Sequence, residues 1–251
     1  MQPTPRHRLY VTAGLQGDEE ITLSTEQSHR LLHVLRAARG ESVALFNGRD
    51  GEWRAELVDA NKRGAGLVVR EQMRPQVPES DLWLLFAPIK RGPLDLVAEK
   101  ATELGVSALM PVWTQHTDAQ RVNTGRLAAI AIEAAEQCRR LTVPSVEEPC
   151  SLEDRIAAWP AVRRLIVLDE SGRGAPIARV LAAMGEVPAA ILVGPEGGFA
   201  ESELDALRGL SFAVAVDLGP RILRAETATI AALACCQALR SEPVLSSAPS
   251  R

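Results

Sequence analysis

A small β-barrel followed by an α/β domain built on a parallel sheet is the architecture the sequence predicts, and three observations predict it. The first 74 residues hold five short β-forming runs and a single amphipathic helix pattern. From residue 80 onward, continuous apolar strands alternate with helical segments. Between the two regimes, Arg74-Pro-Gln-Val-Pro-Glu-Ser80 carries two prolines and no periodicity, the composition of a linker. At roughly 150 residues per domain, a chain of 251 has room for one large or two modest domains. The division is therefore 1–74 and 80–240, with 241–251, rich in Ser and Pro, read as a disordered tail.

In chain order, residues 8–13 and 20–23 are brief β runs. Ser24 followed by Gln27 is a capping-box start, and Leu31, Leu32, Val34 and Leu35 give the helix an apolar stripe ending near Arg39-Gly40. Strands at 42–47, 53–60 and 64–71 follow, the first two joined by the turn Gly48-Arg-Asp-Gly51. Several short strands with one helix form the pattern of a small barrel. Beyond the linker, strands are expected at 82–89, 109–113, 165–169, 189–193 and 212–218. Helices are expected at 93–104, 124–141, 176–184, 201–208 and 226–240. Strands that are apolar throughout, rather than alternating, belong in a parallel sheet covered on both faces.

Composition narrows the function. An apolar fraction of 46% with 24% charged residues excludes global disorder. Four cysteines, at 138, 150, 235 and 236, are too few and too irregular for a disulfide framework or a paired zinc motif, and read as reduced thiols of a cytosolic protein. No uncharged apolar run approaches the ~20 residues of a membrane span, and the first ten residues lack a signal peptide's hydrophobic stretch, so a soluble, cytoplasmic protein without membrane contact is expected. The net charge is −4, yet of 28 basic residues only Lys62, Lys90 and Lys100 are lysine. Arginine grips phosphates bidentately and stacks on bases, although a GC-rich genome gives the same bias. With 11 basic and 11 acidic residues before position 80, and 17 against 21 after it, nucleic-acid contact requires a local patch.

Ligands of open α/β sheets bind at the carboxyl ends of the strands. Two late loops stand out there. Gly194-Pro-Glu-Gly-Gly-Phe199 exposes backbone N–H groups and allows close approach to a flat ligand, but its spacing is neither a dinucleotide fingerprint nor a P-loop. By pattern alone it is equally a plain strand-to-helix turn. Leu218-Gly-Pro-Arg-Ile-Leu-Arg-Ala-Glu-Thr-Ala228 sets Arg221 and Arg224 three apart around apolar Ile222 and Leu223. That arrangement suits a phosphate or a base, or merely a helix N-cap with two solvated arginines. His29 and His33 sit at i, i+4, but no carboxylate lies between them and no third ligand is evident, so no metal is expected. Cys235, Cys236 and the four tryptophans read as packing residues.

Together and in this order, the two loops resemble the RsmE family of ribosomal RNA methyltransferases, members of the SPOUT superfamily. Lys100-Ala-Thr-Glu-Leu-Gly105, Glu133-Ala-Ala-Glu-Gln-Cys-Arg-Arg140 with Val143-Pro144, His29 through Arg36 with Gly40, and Pro5-Arg-His-Arg-Leu-Tyr10 extend the resemblance over nearly the whole chain. It implies a PUA-like β-barrel for RNA binding and a SPOUT-type α/β domain with a deep trefoil knot. It further implies a homodimer and S-adenosylmethionine as cofactor. In such a domain Leu168, Gly194, Pro195, Gly197, Gly198, Leu218, Gly219, Ile222 and Leu223 would wrap the cofactor. The implied reaction is methylation of N3 of a uridine in 16S ribosomal RNA of the small ribosomal subunit. The sequence departs from the family pattern at 116–121, where a serine-rich form is usual, and at 124–126, where a tryptophan often opens the helix, so no substrate contacts are carried over there.

N3 of uridine carries a proton at neutral pH. Its methylation therefore calls for a base or for a cation that stabilises the ring anion. Arg221 and Arg224 are expected to bind uracil oxygens or phosphate, while Glu196 either acts as the base or only holds its loop. Arg6, Arg8, Arg30 and Arg36 would form the RNA face of the barrel, against the alternative of scattered surface arginine. Thr229, Ile230, Leu233 and Cys236, at helical spacing on the last helix, suit an interface as well as a core. Three other readings compete. A nicotinamide-dependent oxidoreductase lacks its glycine fingerprint in Pro88-Ile-Lys-Arg-Gly-Pro93. A non-catalytic RNA-binding module would leave the Gly194 loop idle, and another SPOUT enzyme would differ in its target.

Overall fold

A computed structural model describes residues 4–61 and 64–239; the expected tail and residue 240 of the expected last helix lie outside them. The chain forms two compact units. One contains the chain up to Glu79 together with Ala135–Val143, the other Ser80–Ala134 together with the chain from Pro144 onward.

In the first unit, β1 (His7–Tyr10), β2 (Glu20–Thr22), β3 (Ser42–Phe46), β4 (Glu52–Asn61) and β5 (Gly64–Arg74) make one ladder in the order β1-β3-β4-β5-β2. Only β1 and β3 run parallel. Register shifts between β4 and β5 bend the sheet around a core of Leu9, Ile21, Leu31, Leu45, Leu57 and Leu67. Helix α1 (Thr25–His29) carries the expected capping box and links the two edge strands. Its Gln27 amide donates to the Tyr10 carbonyl at the end of β1, and Ser28 Oγ accepts from Ala65 N–H beside β2. The helix is shorter than its apolar pattern predicts. After His29 it continues as a π-turn (Arg30–Val34), and Arg36 adopts a left-handed φ of 57°. The Ala37 N–H then closes on the Leu31 carbonyl, with both side chains buried in the core, which is a Schellman-type ending.

The second unit contains β6 (Leu82–Phe86), α2 (Arg91–Glu103), β7 (Ala108–Trp113), α3 (Thr124–Cys138), β8 (Ser145–Val146), β9 (Cys150–Ser151) and α4 (Leu152–Ala157). It continues with β10 (Arg164–Leu168), β11 (Ala175–Pro176), α5 (Ile177–Met184), β12 (Ala189–Val193), α6 (Glu201–Arg208), β13 (Ala213–Asp217) and α7 (Ala225–Leu239). The last turn of α3 groups with the first unit. The strand order is β11-β13-β10-β12-β6-β7-β8, with β9 also on β7, and every pairing is parallel. Alternation divides each central strand between two cores. Leu82, Leu84, Ile166, Leu168, Ile191 and Val193 face one, beside Leu94, Leu181 and Leu233. Leu85, Leu165, Val167 and Leu192 face the other, beside Leu204, Leu207 and the stacked Trp159 and Phe212. Burial on both faces is why these strands read as unbroken apolar runs. The elements too short for any period, β8, β9, β11 and α4, have no counterpart in the sequence expectation.

Three of the four residues of the stripe on α7 lie in the core, and Ile230 is half-buried. Thr229, Leu233 and Cys236 are buried, and Thr229 Oγ1 donates to the Ala225 carbonyl.

Candidate active site

Because β13, β10 and β12 are adjacent and parallel, the loops leaving their carboxyl ends converge. They enclose a cavity of about 640 Å³, a size that accommodates a nucleoside-scale ligand. Leu168, Gly194, Pro195, Gly198, Leu218, Gly219, Ile222 and Leu223 line it, as do Glu196, Arg221 and Arg224. Gly197 is the exception. It turns toward His116, where an added Cβ would meet His116 Cβ at 3.5 Å.

Each loop is held by its own polar contacts. After β10, Asp169 is buried; its carboxylate accepts from Ser171 N–H at 2.9 Å and pairs with Arg208 at 2.9 Å. Burial pushes Asp169 upward, but the Ser171 and Arg208 hydrogen bonds outweigh it and hold the group below the ordinary carboxylate value. Glu170 reaches across to the glycine loop and accepts from Phe199 N–H at 3.0 Å. Gly198, at φ 73°, lies so close that a Cβ there would fall 2.2 Å from Glu170 Oε1. Gly194 serves packing: a Cβ would strike the buried Phe199 ring at 2.9 Å. At Gly194 the obstacle is thus a buried ring, and at Gly198 it is the end of a side chain together with a left-handed backbone. From the β7 side, His116 Nδ1 lies 3.1 Å from the Gly198 carbonyl oxygen, and Glu203 accepts from both Gln115 and Ala200 N–H. The third loop begins with an Asx turn, Gly219 N–H to Asp217 Oδ1, and Gly219 at φ 106° has open space where a Cβ would stand.

Arg221 and Arg224 are exposed, and among the described residues their guanidinium groups make no hydrogen bond or ion pair. Ile222, which also lines the cavity, stands 92% exposed between them. Sequence reasoning missed Lys90, Glu170 and Asp217, which also line the cavity. The carboxyl-end rule, applied to every strand rather than to the glycine-rich loops alone, would have found all three.

The barrel arginines separate. Arg6 and Arg36 are exposed. Arg30 is half-exposed and bonds Glu136 at 2.7 Å. Arg8 corrects the expectation of an RNA contact. Its side chain is 9% exposed, pairs with Glu52, lies 3.6 Å over the Phe46 ring, and donates to the Ala135 and Arg140 carbonyls. It satisfies carbonyls at the end of α3 and has no free donor face for phosphate. Nearby, burial raises Glu136 above the ordinary carboxylate value, against Tyr10 N–H and Arg30, which pull it down. The rings of His29 and His33 approach to 5.0 Å. No group of three metal-capable side chains occurs among the described residues, and no helix there is long and apolar enough to cross a membrane.

Comparison with known proteins adds relatives. A sequence model of an RNA methyltransferase domain matches residues 76–237, and one of an RNA methyltransferase PUA domain matches residues 23–69. A Rickettsia conorii protein named ribosomal RNA small subunit methyltransferase E is 33% identical over 236 residues, spanning 94% of this chain and 96% of its own. One of the same name from Synechocystis is 32% identical, over 93% and 78%. The crystal structure of the Neisseria gonorrhoeae protein of that name, bound to S-adenosyl methionine, superposes with a TM-score of 0.84 at 28% identity, covering 93% of this chain and 98% of that one.

Proposed function

The chain belongs to the RsmE family, ribosomal RNA small subunit methyltransferase E, and from that membership we propose that it transfers a methyl group from S-adenosylmethionine to N3 of a uridine in 16S ribosomal RNA. One observation carries the reading. Three loops from adjacent parallel strands close on a single cavity lined by two arginines that have no side-chain partner among the described residues. The lining suits the cofactor: Leu168, Val193, Leu218 and Leu223 offer apolar walls to a nucleoside, and the carboxylates of Glu170 and Asp217 complement a ligand that is cationic at its sulfonium and ammonium groups. The trefoil knot belongs to the same proposal, supported by the return of α7 after β13 to pack on α2, α5 and β12.

When bound, S-adenosylmethionine supplies an already activated methyl group, so that the N3–CH₃ bond forms as the C–S bond breaks and sulfur keeps the electron pair. The residues of the chain align the acceptor and exclude water. Arg221 and Arg224, free of protein partners, meet uracil oxygens or a flanking phosphate, where positive charge stabilises the ring anion. The target base leaves its stack, since N3 is out of reach within a pair. Arg6 and Arg36, exposed on the barrel, supply phosphate contacts. A cytoplasmic homodimer acting on RNA or on the small subunit completes the proposal. Ile222, exposed between the two arginines, supports it as apolar surface awaiting a cover. Mapping of methylated nucleotides in small-subunit RNA from a deletion strain tests the function: one N3-methyluridine should disappear and return with the restored chain. A methylation map unchanged by the deletion contradicts it.

A further inference from the structure

Two cavities open on the carboxyl edge of the parallel sheet. The cofactor cavity lies over β13, β10 and β12. A second, of about 800 Å³, lies over β12, β6 and β7, lined by the turn after β6, the segment after β7, the start of α3, and Pro195 and Glu196. Lys90, Pro195 and Glu196 line both. We propose that the second cavity receives the extruded pyrimidine nucleotide, and that Lys90 and Glu196, at the junction, carry the proton chemistry at N3. This inference rests on the methyltransferase reading of the first cavity.

Methyl transfer needs donor and acceptor on opposite sides of the moving carbon, and two cavities that share a wall provide that arrangement. The second has the composition of a nucleotide site, with Ile89, Leu94 and Leu127 offering apolar surface to a base and Arg121 standing exposed for a phosphate. Arg126 is already committed, bonding Asp95 at 2.9 and 2.6 Å. Lys90 and Arg121 are different: among the described residues neither side chain has a hydrogen-bond or ion-pair partner, so both are available to a ligand. His116, which lines the second cavity, sets Nδ1 3.1 Å from the carbonyl oxygen of Gly198, which lines the first. In the step assigned here, N3–H gives its proton to the Glu196 carboxylate, and the electron pair stays on the ring, spread over O2 and O4. The Lys90 ammonium donates a hydrogen bond to one of those oxygens. Glu196 then releases the proton to solvent.

Two experiments on the full chain test this. Irradiation of the protein with 4-thiouridine 5′-monophosphate, in the presence of S-adenosylhomocysteine, should label peptides containing residues 88–91 or 116–124, with a lower yield in Arg121→Ala. Label confined to other peptides, absent altogether, or undiminished in the variant overturns the cavity assignment. Single-turnover methylation of small subunits should slow about 100-fold in Lys90→Met, the scale of a lost oxyanion donor. The variant's rate should keep rising with pH beyond the point where that of the unsubstituted chain levels off, and Lys90→Arg should recover most of the loss. An unchanged pH profile in Lys90→Met overturns the role of Lys90. Failure of the unsubstituted chain to methylate small subunits at all overturns the activity reading instead, while the crosslink, which needs no turnover, judges the cavity by itself.

Discussion

Arginine has two fates in this chain, and one example from each unit shows the contrast. In the first, Arg8 is buried against Glu52, Phe46 and the carbonyls of Ala135 and Arg140, and Arg30 is tied to Glu136. In the second, Arg221 and Arg224 stand exposed at a cavity, with no hydrogen-bond or ion-pair partner among the described residues. A guanidinium on a strand whose second face is covered becomes structure, whereas one on a loop at the carboxyl edge of a parallel sheet stays available. Residue type announces neither fate, and placement decides both.

The sharpest way to break the comparison is to delete one arginine from each unit. Arg8→Ala leaves buried Glu52 with its longer contact to Arg74 at 3.5 Å and takes the donor from the Ala135 and Arg140 carbonyls. Loss of a buried pair partner costs about 3–5 kcal/mol, readable as a fall in urea stability. Arg224→Ala should leave stability within about 0.5 kcal/mol, as surface substitutions do. It should lower the single-turnover methylation rate while cofactor affinity stays nearly intact. Equal destabilisation by both variants would erase the distinction.

Glycine gives a second pair. At Gly51, φ 81°, a Cβ would sit 2.2 Å from the backbone oxygen of Arg74, so Gly51→Ala must move main chain. A strained position of this kind costs about 1–3 kcal/mol, and the effect should be on stability without change in cofactor binding. At Gly198 the obstacle is the end of the Glu170 side chain, which can swing away, but only by releasing Phe199 N–H. Gly198→Ala should therefore weaken S-adenosylmethionine binding about tenfold, roughly 1.4 kcal/mol, with a smaller loss of stability. Calorimetric titration of both variants beside urea unfolding checks the pair.

The two buried carboxylates should respond to pH with opposite sign. Glu136, raised by burial, holds its proton in the folded chain over a range where the unfolded chain has lost it, so its contribution falls as pH rises from the ordinary carboxylate value to the raised one. Asp169, lowered by its hydrogen bonds, stabilises the fold above the ordinary value, and that contribution is lost as pH falls through its depressed folded value. Glu136→Gln should flatten the first dependence and Asp169→Asn the second, in urea midpoints followed against pH. The smallest effect belongs to the exposed barrel arginines. Arg6→Ala and Arg36→Ala should each flatten the salt dependence of RNA binding by about one unit of slope, without change in stability.

What the sequence made legible follows the range of the physics. The strands 82–86, 164–168 and 189–193 were readable because burial on two faces leaves unbroken apolar runs. By pattern alone the glycine loop and the Arg221–Arg224 loop were equally plain turns, and it was their order and joint resemblance to one family that singled them out. Arg8 was not, since its partners at Ala135 and Arg140 lie more than a hundred residues along the chain. Lys90 was equally hidden: a single lysine in Pro-Ile-Lys-Arg-Gly carries no pattern, and only the adjacency of β6 and β12 brings it to the Gly194 loop. The shortened α1 was invisible for a third reason, because an apolar stripe does not distinguish an α-helix from a π-turn closed by a left-handed arginine.

The central claim is that ligand chemistry belongs to the carboxyl edge of the parallel sheet while Arg8 and its partners hold the barrel together. Hydrogen exchange of the full chain with and without S-adenosylmethionine tests it most directly. The account predicts new protection in the loops 169–172, 194–199 and 217–225, with peptides covering His7–Tyr10 unchanged. Protection centred on the barrel strands, or none in those three loops at saturating cofactor, would contradict it.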